Sequence, residues 1–221
     1  MTGPGVLFTL VLVLSAAGAT AGVIRPRPRS ESSPGVAANE RISSLTGALL
    51  LVLAGGIGVT ILRIRDLLPE HYLIGLLMLG PLVLKLGSIG YRFVRYYTRD
   101  PAYRRAGPPH LLLRLSAPLL VVATLVVFAT GIELWLFGYR HGTWWFQAHV
   151  VSFLVWTALL GIHLLGHTRR SVEAVAEEMT LNARTALAGR GLLIASLVSG
   201  GVLAVASLLY ASPFPPPLGS G

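Results

Sequence analysis

Apolar residues gather in long uninterrupted runs along this chain, not in the short alternations of a soluble fold. The runs cover residues 5–24, 45–62, 72–91, 115–138, 149–167 and 191–211. Each is about 18 residues or longer, the length at which an α-helix crosses the hydrocarbon of a bilayer. Inside lipid only helices and closed barrels satisfy every backbone N–H and C=O, and these runs are too long for barrel strands. The pattern predicts an all-α integral membrane helical bundle of about six transmembrane helices. The connectors between runs leave no room for a sizeable soluble domain.

Composition agrees, with 53% hydrophobic and 12% charged residues among 221. The absence of cysteine excludes disulfides, cysteine-ligated iron–sulfur clusters and covalently attached haem. A net charge of +9 would suit a nucleic-acid binder, but the arginines flank the spans and form no groove. Three alternate connectors hold fourteen of the eighteen basic residues. They are 25–43 (Arg25, Arg27, Arg29, Arg41), 92–114 (Arg92, Arg95, Arg99, Arg104, Arg105, Arg114) and 168–190 (Arg169, Arg170, Arg184, Arg190). The intervening connectors hold Arg63, Arg65 and Arg140. The positive-inside rule puts the three basic connectors in the cytoplasm and both termini outside.

That orientation favours residues 1–24 as a retained N-terminal transmembrane helix, although the segment is signal-like in its small-residue end. Residues 25–43 read as a flexible cytoplasmic linker, 44–212 as the main bundle and 213–221 as a flexible outer tail. Within 168–190, helical spacing of apolar and charged residues predicts a surface amphipathic helix that ends at Gly189 or Gly191.

The candidate chemistry lies in the histidines. His149 and His163 are fourteen residues apart on one apolar run, just under four turns, so both leave the same helix face roughly 21 Å apart. Histidine inside a membrane is by default a functional residue. His71 opens the third run at the same outer depth as His149, and the two spans run parallel, as diagonal helices of a four-helix bundle do. Two imidazoles at matched depth are what bis-histidine ligation of one porphyrin needs. Fourteen residues after His71 stands Lys85, the only lysine. Three roles are open to it: hydrogen bonding to a haem propionate, ligation as a neutral amine, or snorkelling to the inner face. Gly75, Gly80, Gly87 and Gly90 on the third run, with Gly161 and Gly166 on the fifth, would let a flat macrocycle or a helix approach closely. Glu133 is an acid in the outer part of the fourth run, placed either to take protons from a quinol or to cap the interface. His141, in the next connector, reads as solvated, and Trp135, Trp144 and Trp145 as an aromatic belt.

Histidines fourteen apart near the two membrane faces resemble the membrane cytochromes b. These include the haem-bearing anchor subunits of periplasmic dehydrogenases and hydrogenases and the cytochrome b of quinol:cytochrome c oxidoreductases. The similarity covers roughly residues 44–211. It implies a four-helix haem-binding core, haem b as cofactor, His71 and His149 as one outer ligand pair, and His163 as an inner ligand. It departs from that family at Lys85, where a two-haem pattern wants histidine. His167, one turn beyond His163, could ligate or bind propionate, and His110 is a further partner for His163. Arg92 with Tyr91 suits propionates at the inner side. The resemblance further implies a multi-pass protein of a prokaryotic plasma membrane. It would pass electrons between quinone and a soluble or periplasmic redox enzyme, such as a molybdopterin enzyme. Such a chain is an electron-transfer subunit of an oxidoreductase complex, without a substrate pocket of its own. The alternative class is a non-redox transporter or scaffold whose Lys85, Glu133 and His163 line a polar path.

Overall fold

The computed structural model describes residues 33–105, 111–180, 183–210 and 213–214, with side chains described for all of these except 111–113, 165–175, 177–180 and 183–186. The described residues form an all-helical bundle: α1 (Pro34–Leu62), α2 (Leu68–Tyr97), the short α3 (Pro101–Arg105), α4 (Leu111–Phe137), α5 (Trp144–Thr180) and α6 (Ala183–Ser207). All but α3 contain a segment long and apolar enough to cross a membrane, which makes this a multi-pass membrane protein. The first apolar run, 5–24, and His110 lie outside the described residues.

Helix boundaries follow local chemistry. Pro34 starts α1, where its missing N–H costs nothing, so residues 34–43 are helix. Arg99, at a φ of 64°, turns the chain out of α2. Asp100 then caps α3, its Oδ1 accepting from the Ala102 and Tyr103 amides at 2.9 and 3.3 Å, and pairs with Arg95. The expected separate amphipathic helix is not formed. α5 continues unbroken to Thr180, and α6 starts at Ala183 and runs through both Gly189 and Gly191. Gly189 packs closely under Arg41 of α1, so there the absent side chain serves packing and not helix termination.

The helices pair in hairpins. α1 lies against α2, α4 against α5, and α1 against α5, while α6 covers the outside of α2. Ala54, Met78, Val127 and Phe153, one from each of α1, α2, α4 and α5, form the shared apolar core. Polar side chains sew the first hairpin: Asn39 to Ser88, Glu40 to Arg92 at 2.9 Å, and Ser43 to Lys85. In the second hairpin Trp156 Nε1 donates to Thr124 Oγ at 3.0 Å.

The α2–α6 contact is made backbone to backbone. A Cβ at Gly80 would fall 1.9 Å from the Ser196 carbonyl oxygen, and one at Gly200 would fall 2.1 Å from that of Leu77. Pro81 has no N–H and so leaves the Leu77 carbonyl without its intrahelical donor. That oxygen instead faces the Gly200 Cα, the geometry of a weak Cα–H···O contact. Gly80 therefore serves the crossing of α6 and does not line a cofactor slot.

Candidate functional site

The diagonal helices α2 and α5 bring His71 and His149 together. Their ring centroids are 6.5 Å apart and their planes are 87° apart. Each ring is tethered by a threonine of the preceding helix in its own hairpin. Thr60 Oγ lies 2.8 Å from His71 Nδ1, and Thr130 Oγ lies 3.0 Å from His149 Nδ1. Both threonines are themselves buried.

The direction of these bonds follows from counting protons. A hydroxyl has one hydrogen. Thr60 donates it to the Ile57 carbonyl at 2.7 Å, and Thr130 donates to the Val126 carbonyl at 2.8 Å. Each threonine oxygen is then an acceptor toward its histidine, so Nδ1 carries the ring proton. Both rings are thereby held as the tautomer with a bare Nε2, the form that can bind a metal. Gly131 makes room for the second ring, since a Cβ there would sit 3.0 Å from His149 Cε1. One turn from His71, a Cβ at Gly75 would meet nothing within 4 Å, so that flank is open.

The separation suits one metal ion between two axial imidazoles. With a metal–nitrogen bond of about 2.0 Å and roughly 1.1 Å from ring centre to Nε2, a collinear pair spans about 6.2 Å. No cluster of three or more His, Asp or Glu exists among the described residues.

The other expected residues lie apart from this pair. Lys85 is half-buried and reaches Ser43 of α1, at 2.6 Å to the carbonyl oxygen and 2.9 Å to Oγ, so it finds its partners inside the bundle. His163 lies toward the same end of α5, within electrostatic reach of Lys85. Arg92 is engaged by Glu40. The side chain of His167 lies outside the described residues. Glu133 stands one turn beyond Thr130 on α4, with its Oε1 2.8 Å from His141 Nδ1. His141 is not simply solvated: its ring is half exposed, packs on Phe137 and pairs with this acid.

The turns at this end of the bundle are tied down by aromatic groups. Tyr210 donates to the Leu136 carbonyl at 2.7 Å and packs on Trp135. Phe214 lies between Tyr72, the neighbour of His71, and Tyr139. Residues 213–214, at the start of the tail, thus cover this end, and the rest of the expected flexible outer tail lies outside the described residues. Thr60, Thr130, Gly131 and Phe214 are the residues that sequence reasoning missed.

Comparison with protein-family models, with curated proteins and with solved structures finds no match for this chain.

Proposed function

We propose that this chain is a membrane haem b electron-transfer subunit, with His71 and His149 as the two axial ligands. The observation that carries the reading is the matched pair of Thr–His tethers. Two helices that barely touch each present an imidazole at one depth, and each imidazole has Nδ1 held and Nε2 bare. A scaffold or transporter has no use for that duplication. Haem b, when bound, supplies a one-electron iron couple in a medium of low polarity. The chain's own residues hold the rings, fix their tautomers and keep water away: Phe214 with Tyr72 and Tyr139 at one end, Met78 with Phe153 and Val127 below.

On this reading the protein exchanges electrons between quinone in the bilayer and a soluble redox enzyme, in the plasma membrane of a prokaryote. The Lys85 end is an anchor of charged and polar contacts, and one haem is expected. Lys85 Nζ already engages Ser43 through two contacts.

The test is a dithionite-reduced-minus-oxidised spectrum of the purified protein with a pyridine haemochrome assay. A b-type α-band that His71→Ala and His149→Ala each abolish, at a count near one, supports the proposal. A count near two moves the question to His163 and Lys85. Protein made with ample haem that binds none sinks the cytochrome reading.

A further inference from the structure

Five spans are described, and the chain holds one more run of span length, residues 5–24, outside the described residues. The bundle has an apolar groove with nothing in it. It lies between α2 and α6, lined by Leu79, Gly80 and Val83 of the first and Leu192, Ala195 and Ser199 of the second. Lys85, Ser88 and Arg92 face α1. Val83, Gly87, Gly90 and Val94 each stand two residues from one of these, so they lie on the opposite side of α2. They carry the groove on towards the basic connector 92–114. Val83 is 69% exposed, and a Cβ at Gly87 or Gly90 would meet nothing within 4 Å. A glycine inside a helix costs about 1 kcal/mol relative to alanine. At Gly80 and Gly200 that loss is offset by a close helix crossing, and at Gly87 and Gly90 the described residues supply no such neighbour.

We propose that the run 5–24 fills this groove as a further transmembrane helix packed on α2 and α6. Reach, direction and depth agree. Residues 25–33 join the run to Pro34, and nine residues extend to about 30 Å. The first turns of α1 already lie against the basic ends of both groove helices, since Asn39 bonds Ser88 and Gly189 packs under Arg41. The far side of α2 is about one helix diameter away, roughly 10–12 Å. The run ends at that same basic side, as α2 does, so the two helices are parallel. Ser15, Gly18, Ala19 and Gly22 recur at i, i+3, i+4 and i+7, which gives its last turns one small-residue face. Gly18 and Gly22 stand six and two residues from the end of their run, and Gly87 and Gly90 four and one from the end of the run 72–91. Small residues thus face one another at one depth, the arrangement that lets two membrane helices approach closely. A lipid chain could fill the groove but would make no use of glycine on both sides. The proposal does not depend on the haem reading.

The chain has no cysteine, so introduced pairs report without background. The experiment takes the full chain in native membranes, with a protease site placed in the 25–33 linker. Cysteine pairs are oxidised with copper phenanthroline, and the linker is then cut. Ser15→Cys with Val83→Cys, and Ala19→Cys with Ala195→Cys, should each keep the N-terminal fragment covalently attached. Ser15→Cys with Leu125→Cys, which is 53% exposed on α4 at a similar depth, should release it. Gly18→Leu preserves the length and apolar character of the run, and it should weaken linkage at Val83→Cys about tenfold, the scale of one overpacked contact. Release of the fragment from both groove pairs, or linkage as strong at Leu125→Cys, overturns the proposal. A purified chain that begins beyond residue 24 overturns it as well. So do disulfide-linked dimers from Val83→Cys in place of linkage within the chain, which would put a second copy in the groove.

Discussion

Thr130→Val is the substitution that tests the site most directly. Valine keeps the shape of threonine and removes only the oxygen. Three contacts go with it: the donation shared between the Val126 and Val127 carbonyls, at 2.8 and 3.1 Å, and the 3.0 Å acceptance from His149 Nδ1. The carbonyls keep their helical partners, so the loss falls on the imidazole N–H, which retains only the Val127 carbonyl as acceptor. That costs about 1 kcal/mol, and such tethers are worth roughly 10- to 100-fold in metal affinity. Thr60→Val should do the same at His71, where the tether is 2.8 Å. The two tethers act on separate rings, so the double variant should lose about 100- to 10,000-fold if the effects add. Haem release to an excess of a haem-scavenging globin, followed at the reduced α-band, reads the change. Thr124→Val is the control, since it loosens the same α4–α5 seam through Trp156 without touching a histidine. If Thr130→Val and Thr60→Val release haem at the rate of Thr124→Val, the tethers do not position ligands and the argument from them fails.

Further expectations follow from the same geometry. Imidazole planes 87° apart present the iron with nearly equivalent π-donors in two perpendicular directions. The oxidised haem protein should therefore show a strongly anisotropic low-spin EPR signal, and a three-line rhombic spectrum would mean the rings lie parallel. Gly80→Ala should lower thermal stability in detergent by about 1–3 kcal/mol through overpacking, since its Cβ would fall 1.9 Å from the Ser196 oxygen. Gly75→Ala, with open space at its Cβ, should leave the haem-free protein unchanged and reduce haem loading instead. Thr157 is fully buried and its hydroxyl has no hydrogen bond among the described residues, so Thr157→Val should raise stability by about 1 kcal/mol. A drop in melting temperature would show that the hydroxyl has a partner after all.

The membrane bundle and the meeting of His71 with His149 were both legible in the sequence. Spans can be counted from apolar length, and two parallel spans with histidine at one depth need no side-chain detail. The threonines were not legible. A hydroxyl in an apolar helix ordinarily bonds its own backbone, as Thr46 does to Ile42 at 2.7 Å. Nothing in the residue string distinguishes Thr46 from Thr60; the difference is which neighbour lies across the hairpin. Gly80 was misread for a related reason. Small residues fit a macrocycle and a crossing helix equally well, and only the approach of Ser196 decides between them. The Glu133–His141 contact depends on positive φ angles at Gly138 and Gly142, so it follows from turn geometry and not from spacing. The long α5 was hidden because polar composition after His167 suggested a break that the backbone does not make.

The duplicated tether has a consequence for how the protein matures. Each hairpin, α1–α2 and α4–α5, contains one histidine together with the threonine hydroxyl that holds it, so under the proposed haem function each would carry half of the site before the other is met. During membrane insertion the first hairpin can wait with its imidazole already in the binding tautomer. Under that proposal the iron would be the rivet that fastens two prefabricated parts, across helices α2 and α5 that otherwise make little contact. In a cell short of haem such parts would remain separable, and the unfastened chain would be the form that membrane proteases recognise. Supply of the cofactor would thus set the lifetime of the protein as well as its redox competence.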